Sequence, residues 1–373
     1  MVRGKRWLSW SLLVLVGAAS CQVNSPATPV SVPSPRPMST TNFGPPLPHT
    51  ATPELTATTL PSPSVIPEVL GALTWHTLAE GQFFRELSLN SSRRSLYFVG
   101  VISDVAGLWR LDLSTSSQPV RVSDSFGAVS FALSPDGSKA VLSGESTHVV
   151  ELESGETLLE IVPTNQFCLA TFATDSRLVR ACTTIGEEPS LTVVYTNDIV
   201  EKTTTELARY PGFPYKFEAK LGANMLILGV RANSPDTDQV VIVNANDGTI
   251  RCAISSPDFS VGDENAAQVA IDGGNHGVAF VNISDCGAKS PIPLQLGAGV
   301  FRFFATSTFL VAGAGPQVAV VPVDASSSQA YVAGELPKPY VVHDIVGGSM
   351  PDAIYVAALD ESTNQYAILE GVR

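Results

Sequence analysis

Positive charge is scarce in this sequence: 22 Lys and Arg stand against 35 Asp and Glu, for a net charge of -13 and a pI of about 4.8. A surface that neutralises phosphates needs clustered cations, so no nucleic-acid partner is expected. Charged residues of both signs make up only 15% of the chain, where ~25% is usual, and a long charged coiled coil is excluded. Past the N-terminal segment no apolar run approaches the ~20 residues of a membrane-spanning helix. Residues 71–373 lack a convincing amphipathic helix. Chemical signatures are missing as well. There is no Walker A loop, GxGxxG or HExxH, and Gly347-Gly348-Ser349-Met350-Pro351 carries Pro where a nucleophile elbow needs Gly. His49, His76, His148, His276 and His343 have no close ligand spacing. No catalytic residue is assigned, and neither a metal nor a cofactor is expected.

What is present starts with an address. Arg3, Lys5 and Arg6 precede the apolar run Trp7–Val16 and the small residues Gly17 to Ser20, the order of a secretory signal. Ala18-Ala19-Ser20-Cys21 resembles the lipobox of bacterial lipoproteins. That resemblance implies cleavage between Ser20 and Cys21, a diacylglyceryl group on the Cys21 thiol, and membrane attachment through the N-terminal lipid. Gln22, in place of the Asp that marks inner-membrane retention in that family, implies the outer membrane or outer cell surface. Ordinary signal cleavage is the alternative, since Ala18-Ala19-Ser20 also meets the small-x-small rule. Losing Arg3, Lys5 and Arg6 takes the net charge from -13 to -16, which disfavours anionic lipid surfaces too.

Three regions follow: a signal peptide at 1–20, the lipidated Cys and a linker at 21–70, and a folded domain at 71–373. Residues 22–70 hold 12 Pro and 14 Ser or Thr, with Arg36, Glu54 and Glu68 the only charges. Such a composition cannot build a core. It favours a disordered, polyproline-rich spacer, which at ~3.1 Å per residue reaches about 150 Å when extended.

The folded region reads as all-β. Short apolar or alternating runs recur at 96–101, 108–113, 149–152, 191–195, 225–230, 240–243, 278–283, 318–323 and 354–358, separated by Gly, Asp, Asn and Ser clusters. Residues 89–100 lie without gaps over residues 133–144, each copy a strand, a tight polar turn and a returning strand. Weaker copies place anchors at 172, 219, 271, 304 and 346, giving steps of 44, 39, 47, 52, 33 and 42 residues. A repeat of ~40–45 residues with four strands is a propeller blade, and seven fit the length. The Ser134-Pro135-Asp136-Gly137 turn resembles the WD-like and Tol-system propellers, and Val240–Ile250 resembles a strand-turn-strand segment of quinoprotein-type propellers. Together they imply an all-β, seven-bladed β-propeller. Leu73–Leu78 is expected to close the ring as the outer strand of the last blade.

Four further Cys remain, an even number in an exported domain, which implies disulfides. Cys168 and Cys182 lie symmetrically about Asp175 and are expected to face each other across a hairpin. Cys252 and Cys286 then pair by elimination, tying an outer strand to a loop of the next blade. Zinc is disfavoured by the absence of CxxC. Asp236-Thr237-Asp238 and Asp263-Glu264-Asn265, with Asp272 and His276, lack the ligand spacing of a calcium loop and read as solvated turns. The expected role is non-enzymatic: a lipid-anchored extracytoplasmic scaffold that binds a protein, a cell-wall polymer or a small ligand. Two alternatives stay open. One is an envelope assembly factor resembling the propeller lipoprotein of the outer-membrane barrel-assembly machinery, and the other is a metal-dependent propeller hydrolase or lactonase.

Overall fold

The chain divides into two units, Met1–Ser62 and Pro63–Arg373. The structure, a computed structural model, describes residues 73–372 apart from 116–117, 126, 188, 221–223, 232–237, 257, 262–267, 273–277, 288–299, 304–308, 323–330 and 349–352. The signal segment, Ser20, Cys21 and the 21–70 linker lie outside the described residues. No helix among the described residues is long and apolar enough to cross a membrane.

Seven antiparallel sheets follow one another around a ring. Strand β1 (Thr74–Gly81) comes first. Blade 1 is β2 (Phe83–Asn90), β3 (Ser95–Ile102), β4 (Val105–Asp112) and β5 (Val120–Ser123), and blade 2 is β6 (Ser130–Leu133), β7 (Lys139–Ser143), β8 (Thr147–Glu151) and β9 (Thr157–Ile161). Blade 3 is β10 (Gln166–Phe172), β11 (Arg177–Thr184), β12 (Leu191–Asp198) and β13 (Thr204–Pro211). Blade 4 is β14 (Phe213–Lys220), β15 (Met225–Arg231), β16 (Asp238–Asn244) and β17 (Ile250–Ser255). Blade 5 shows β18 (Phe259–Val261), β19 (Gln268–Asp272) and β20 (Val278–Asn282) among the described residues. Blade 6 is β21 (Val300–Phe303), β22 (Phe309–Ala314), β23 (Gln317–Pro322) and β24 (Tyr331–Glu335). Blade 7 is β25 (Tyr340–Gly347), β26 (Ala353–Asp360) and β27 (Gln365–Val372), with β1 paired to β27 as its outermost strand. The first strand of the ring therefore completes the last blade, as the sequence led us to expect.

The apolar pattern follows from this packing. Second strands are covered by neighbouring blades on both faces, so β3, β11, β15 and β26 are buried along most of their length, and β3, β15 and β26 read as nearly continuous apolar runs. Outermost strands such as β13 and β17 face water on one side and are largely exposed. Seven buried clusters result, one between each pair of successive blades. The one that closes the ring packs Phe84, Phe98 and Trp109 of blade 1 against Tyr355, Tyr366 and Ile368 of blade 7.

Tight turns between first and second strands tie adjacent blades. In the 134–137 turn Gly137 has φ 65° and its amide donates to the Ser134 carbonyl at 2.8 Å. The Asn90 side chain of the preceding blade donates to the Gly137 carbonyl at 2.9 Å, so close that a Cβ on Gly137 would lie 2.1 Å from Asn90 Nδ2. Six of the seven repeat anchors fall within one residue of the end of an inner strand. The exception is 271, which lies on β19, the second strand of blade 5. The Gly273-Gly274-Asn275 stretch after β19 imitates the turn chemistry of an inner hairpin. Moving that anchor to Val261, the end of β18, replaces steps of 52 and 33 residues with 42 and 43.

Cys168 and Cys182 face each other on β10 and β11 and are bonded, with Cα atoms 4.1 Å apart. Cys252, on the outermost strand of blade 4, is bonded to Cys286, just after β20 of blade 5, with Cα atoms 5.8 Å apart. The first bridge spans 14 residues and is sealed in the core, so Cys168→Ala with Cys182→Ala should lower the unfolding free energy by about 3 kcal/mol. Urea unfolding of the oxidised wild type and the double variant measures the difference.

Candidate functional site

Where the seven inner strands converge they enclose a cavity of about 760 Å³ with wall residues from every blade. It extends from Val129, Phe167 and Phe213, at the beginnings of inner strands, to Ser91, Pro135 and Gly347 at their far ends. At the first end Phe167 and Phe213 stack, with ring centres 5.1 Å apart and planes inclined by 23°. Deeper in, Glu86, Lys216, Glu218 and Arg302 line the wall.

These charges sit where they do because each inner strand is the free edge of its sheet, with backbone N–H groups that no neighbouring strand pairs. Polar side chains supply the partners across blade boundaries. Glu86 Oε2 accepts from the Phe131 amide at 2.7 Å, joining blades 1 and 2. Asp344 Oδ2 accepts from the Leu87 amide at 2.7 Å, joining blades 7 and 1, while its Oδ1 accepts from Ile345 at 2.9 Å. Ser143 Oγ accepts from the Ala170 amide at 3.1 Å between blades 2 and 3. Lys216 Nζ donates to Asp258 Oδ1 at 2.8 Å and to the Phe259 carbonyl, and lies 3.5 Å from Glu218 Oε1. Arg302 Nη2 stands 3.6 Å from Asp344 Oδ1, and Nη1 donates to the Phe301 carbonyl at 3.1 Å.

Local bulges aim some of these groups. The β2–β3 register slips between Arg85 and Leu87, which leaves Glu86 as the extra residue, with φ 47°. Similar slips in β14 and β25 leave Tyr215 and His343 unpaired in the ladder, beside Lys216 and Asp344. A non-glycine residue in the left-handed region costs about 1–2 kcal/mol, so the contacts of Glu86 must hold it there.

The electrostatics of Glu86 are unusual. Burial pushes its carboxyl up to about 7, and the nearby Asp344 carboxylate adds to that, against the lowering effects of the Phe131 amide, Arg302 and Ser130. Arg302 is the opposite case. Burial alone would lower its pKa, but Asp344, Glu218, Asp258 and Glu86 together raise it and keep the guanidinium charged.

A carboxyl whose folded pKa exceeds its unfolded value binds its proton more tightly in the folded state. Its contribution to stability is therefore full below about pH 4.5 and is lost as pH rises towards 7. Glu86→Gln should remove that dependence. Between pH 4.5 and 8 the wild type should lose up to about 3 kcal/mol relative to the variant, measured by urea titration at both pH values.

None of the four wall charges was apparent from the sequence patterns. The one available signal is positional: Glu86, Lys216, Glu218 and Arg302 each lie one to three residues before a repeat anchor, as does Asp344 beside Arg302. Among the residues the sequence did single out, Cys168, Cys182, Cys252 and Cys286 form the two bridges away from the cavity wall. Asp238 begins β16 and lies 3.4 Å from Arg231 Nε, and Asp272 ends β19. Asp236, Thr237, Asp263, Glu264, Asn265 and His276 lie outside the described residues. His148 is buried on β8 with Nε2 2.8 Å from Ser146 Oγ, and His343 meets Tyr366 edge-on at 5.1 Å. Burial lowers the pKa of both. Among the described residues no three His, Cys, Asp or Glu gather closely enough to hold a metal ion.

No protein-family model matches the chain, and no curated protein does. Solved structures do. The Cps50 (Swd1) β-propeller domain of Myceliophteria thermophila is similar with a TM-score of 0.57 and 11% identity over 79% of this chain and 99% of that one. The Neurospora crassa Pan2 WD40 domain gives 0.59 and 12% over 82% and 97%. An oligogalacturonate lyase in complex with manganese gives 0.61 and 12% over 81% and 97%. The fold is a WD40-like seven-bladed β-propeller. At these identities the likeness speaks for the fold alone, which is shared by WD40 domains and by a lyase.

Proposed function

We propose that this chain is a lipid-anchored, extracytoplasmic β-propeller that acts as a binding or scaffold module and takes its ligand, or a segment of its partner, at the axial cavity. The cavity carries the reading: side chains from all seven blades converge on one space, with an aromatic mouth and an interior of mixed charge. The seven interblade clusters make the wall stiff, as a site that positions groups requires. Export is supported by the signal-like start and is compatible with the two disulfides. Anchoring rests on Ala18-Ala19-Ser20-Cys21, and the linker at 21–70 would hold the ring clear of the surface.

Two measurements test this. Cells fed a labelled fatty acid should incorporate it into the wild type and not into Cys21→Ser, with only the wild type entering the detergent phase. A wild type without label overturns the anchor. A photo-crosslinking residue at Ile185, exposed on the loop that bonds back to Asn165 beside the cavity mouth, should capture a reproducible target in cells. If crosslinks form only from the linker, the binding role of the ring fails. Capture of outer-membrane barrel-assembly components would favour the assembly-factor reading, and metal-dependent turnover of lactones or esters the hydrolase reading.

A further inference from the structure

We propose that the axial cavity accepts an uncharged, hydroxyl-rich ligand, a short neutral oligosaccharide or the end of a longer one, packed at the Phe167–Phe213 mouth and hydrogen-bonded by Arg302 inside. This deepens the binding-module reading and rests on it.

Mixed charge is the first argument. Two cations, Lys216 and Arg302, stand among four carboxyl groups, with Glu218 and Asp258 beside Lys216, Asp344 beside Arg302, and Glu86 on the same wall. An anion drawn to Arg302 would meet these carboxylates, while a cation drawn to them would meet Arg302 and Lys216. A neutral molecule bearing both donors and acceptors meets neither penalty.

The second argument is which donors remain. The Lys216 ammonium is committed to Asp258, Glu218 and the Phe259 carbonyl. Arg302 has five N–H groups, yet among the described residues it donates to the Phe301 carbonyl alone and faces Asp344 at 3.6 Å. Its side chain is 26% exposed and lines the cavity, so guanidinium donors face the space a ligand would fill. Thr171 and Ser260 add hydroxyls to the same wall. Glu86, whose carboxyl burial pushes up to about 7, adds a group that pairs with a hydroxyl as acceptor when ionised and as donor when protonated.

Shape is the third argument. The stacked rings of Phe167 and Phe213 give the mouth a flat apolar wall, and Phe213 is 37% exposed. The C–H face of a pyranose is flat and apolar, while its rim carries hydroxyls. A cavity of about 760 Å³ falls within the ~300–1,000 Å³ usual for small-ligand sites.

Calorimetry with the full chain supplies the test. The probes are cellotetraose, maltotetraose and chitotetraose as neutral ligands, tetragalacturonate as the anionic one and tetraglucosamine as the cationic one. At least one neutral probe should bind with Kd below about 1 mM, and about tenfold more tightly than either charged probe. Phe213→Ala, at an exposed position that spares the core, should weaken binding at least about tenfold, and Phe213→Tyr should restore it. No neutral binding at about 10 mM, tighter binding of a charged probe, or an unchanged affinity in Phe213→Ala would each overturn the proposal. If such a failure comes with a crosslinked protein partner from Ile185, the binding-module reading survives and only the sugar assignment falls.

Discussion

A chain that begins at Phe83, lacking β1, is expected not to fold as a monomer, whereas one that begins at Leu73 should unfold within a few degrees of the full-length protein. The difference is one strand. β1 pairs along its length with β27, from Thr74 opposite Val372 to Gly81 opposite Tyr366. It brings Leu73 and Trp75 against the cluster between blades 6 and 7, and Ala79 into the cluster between blades 7 and 1. Without β1, β27 becomes a long unprotected edge, the feature that drives strand addition between chains. Ring closure also means that weakening one blade loosens both of its interfaces. The loss should therefore be comparable to the whole stability of a typical domain, about 5–15 kcal/mol. Size-exclusion chromatography and thermal unfolding of the two truncations check this, and a synthetic 73–82 peptide added to the shorter one should restore monomer. A point change reports on the same contact. A Cβ on Gly371 would lie 2.7 Å from the Trp75 ring, so Gly371→Val should destabilise where Trp75 packs.

Closure matters to the cavity as much as to stability. Its wall begins with Glu86 on β2 and ends with Gly347 on β25, strands that meet only where the last blade packs on the first. The bond from Leu87 to Asp344 spans 257 residues of sequence at that seam. Any opening of the seam would separate Glu86 from Asp344 and dismantle the charged interior.

How much of this was readable from the sequence depended on which strand carried the information. Second and third strands such as Leu96–Val101 and Val240–Val243 are apolar on both faces because blades stack on both, so they stand out as runs. Inner strands do not, because their side chains must cap edge amides as well as pack. Phe83–Asn90 holds Arg85 and Glu86 within a strand, and Phe213–Lys220 holds Lys216 and Glu218, patterns that resemble loops. The hairpin bridge was readable because facing positions in an antiparallel pair are symmetric about the turn, and Cys168 and Cys182 obey that. The misplaced fifth anchor shows the limit of turn chemistry, since a Gly-rich connection can follow a second strand as readily as a first. The cavity is the extreme case. It draws residues from seven segments between Glu86 and Gly347, and no local window contains more than one of those segments.

Asp344→Leu should be the most damaging single substitution at the cavity, costing about 3–5 kcal/mol of stability. Its side chain is 7% exposed, and its oxygens hold the Leu87 and Ile345 amides while its charge faces Arg302. Replacing it leaves the Arg302 guanidinium without its carboxylate and the Leu87 and Ile345 amides without their side-chain acceptor. Asp344→Asn keeps an acceptor for the amides but loses the charge, so it should fall between wild type and Asp344→Leu. If the unpaired cation is the main cost, the double variant Asp344→Leu with Arg302→Leu should recover a large part of the loss, because two apolar side chains replace an ion pair with only one deprived partner removed from each side. If the amides dominate, the double variant should be no more stable than Asp344→Leu alone. Urea unfolding of wild type, both single variants and the double variant closes the cycle. A non-additivity of at least about 1 kcal/mol is expected, and strict additivity would show that Asp344 serves the Leu87 amide across the closing seam and not Arg302.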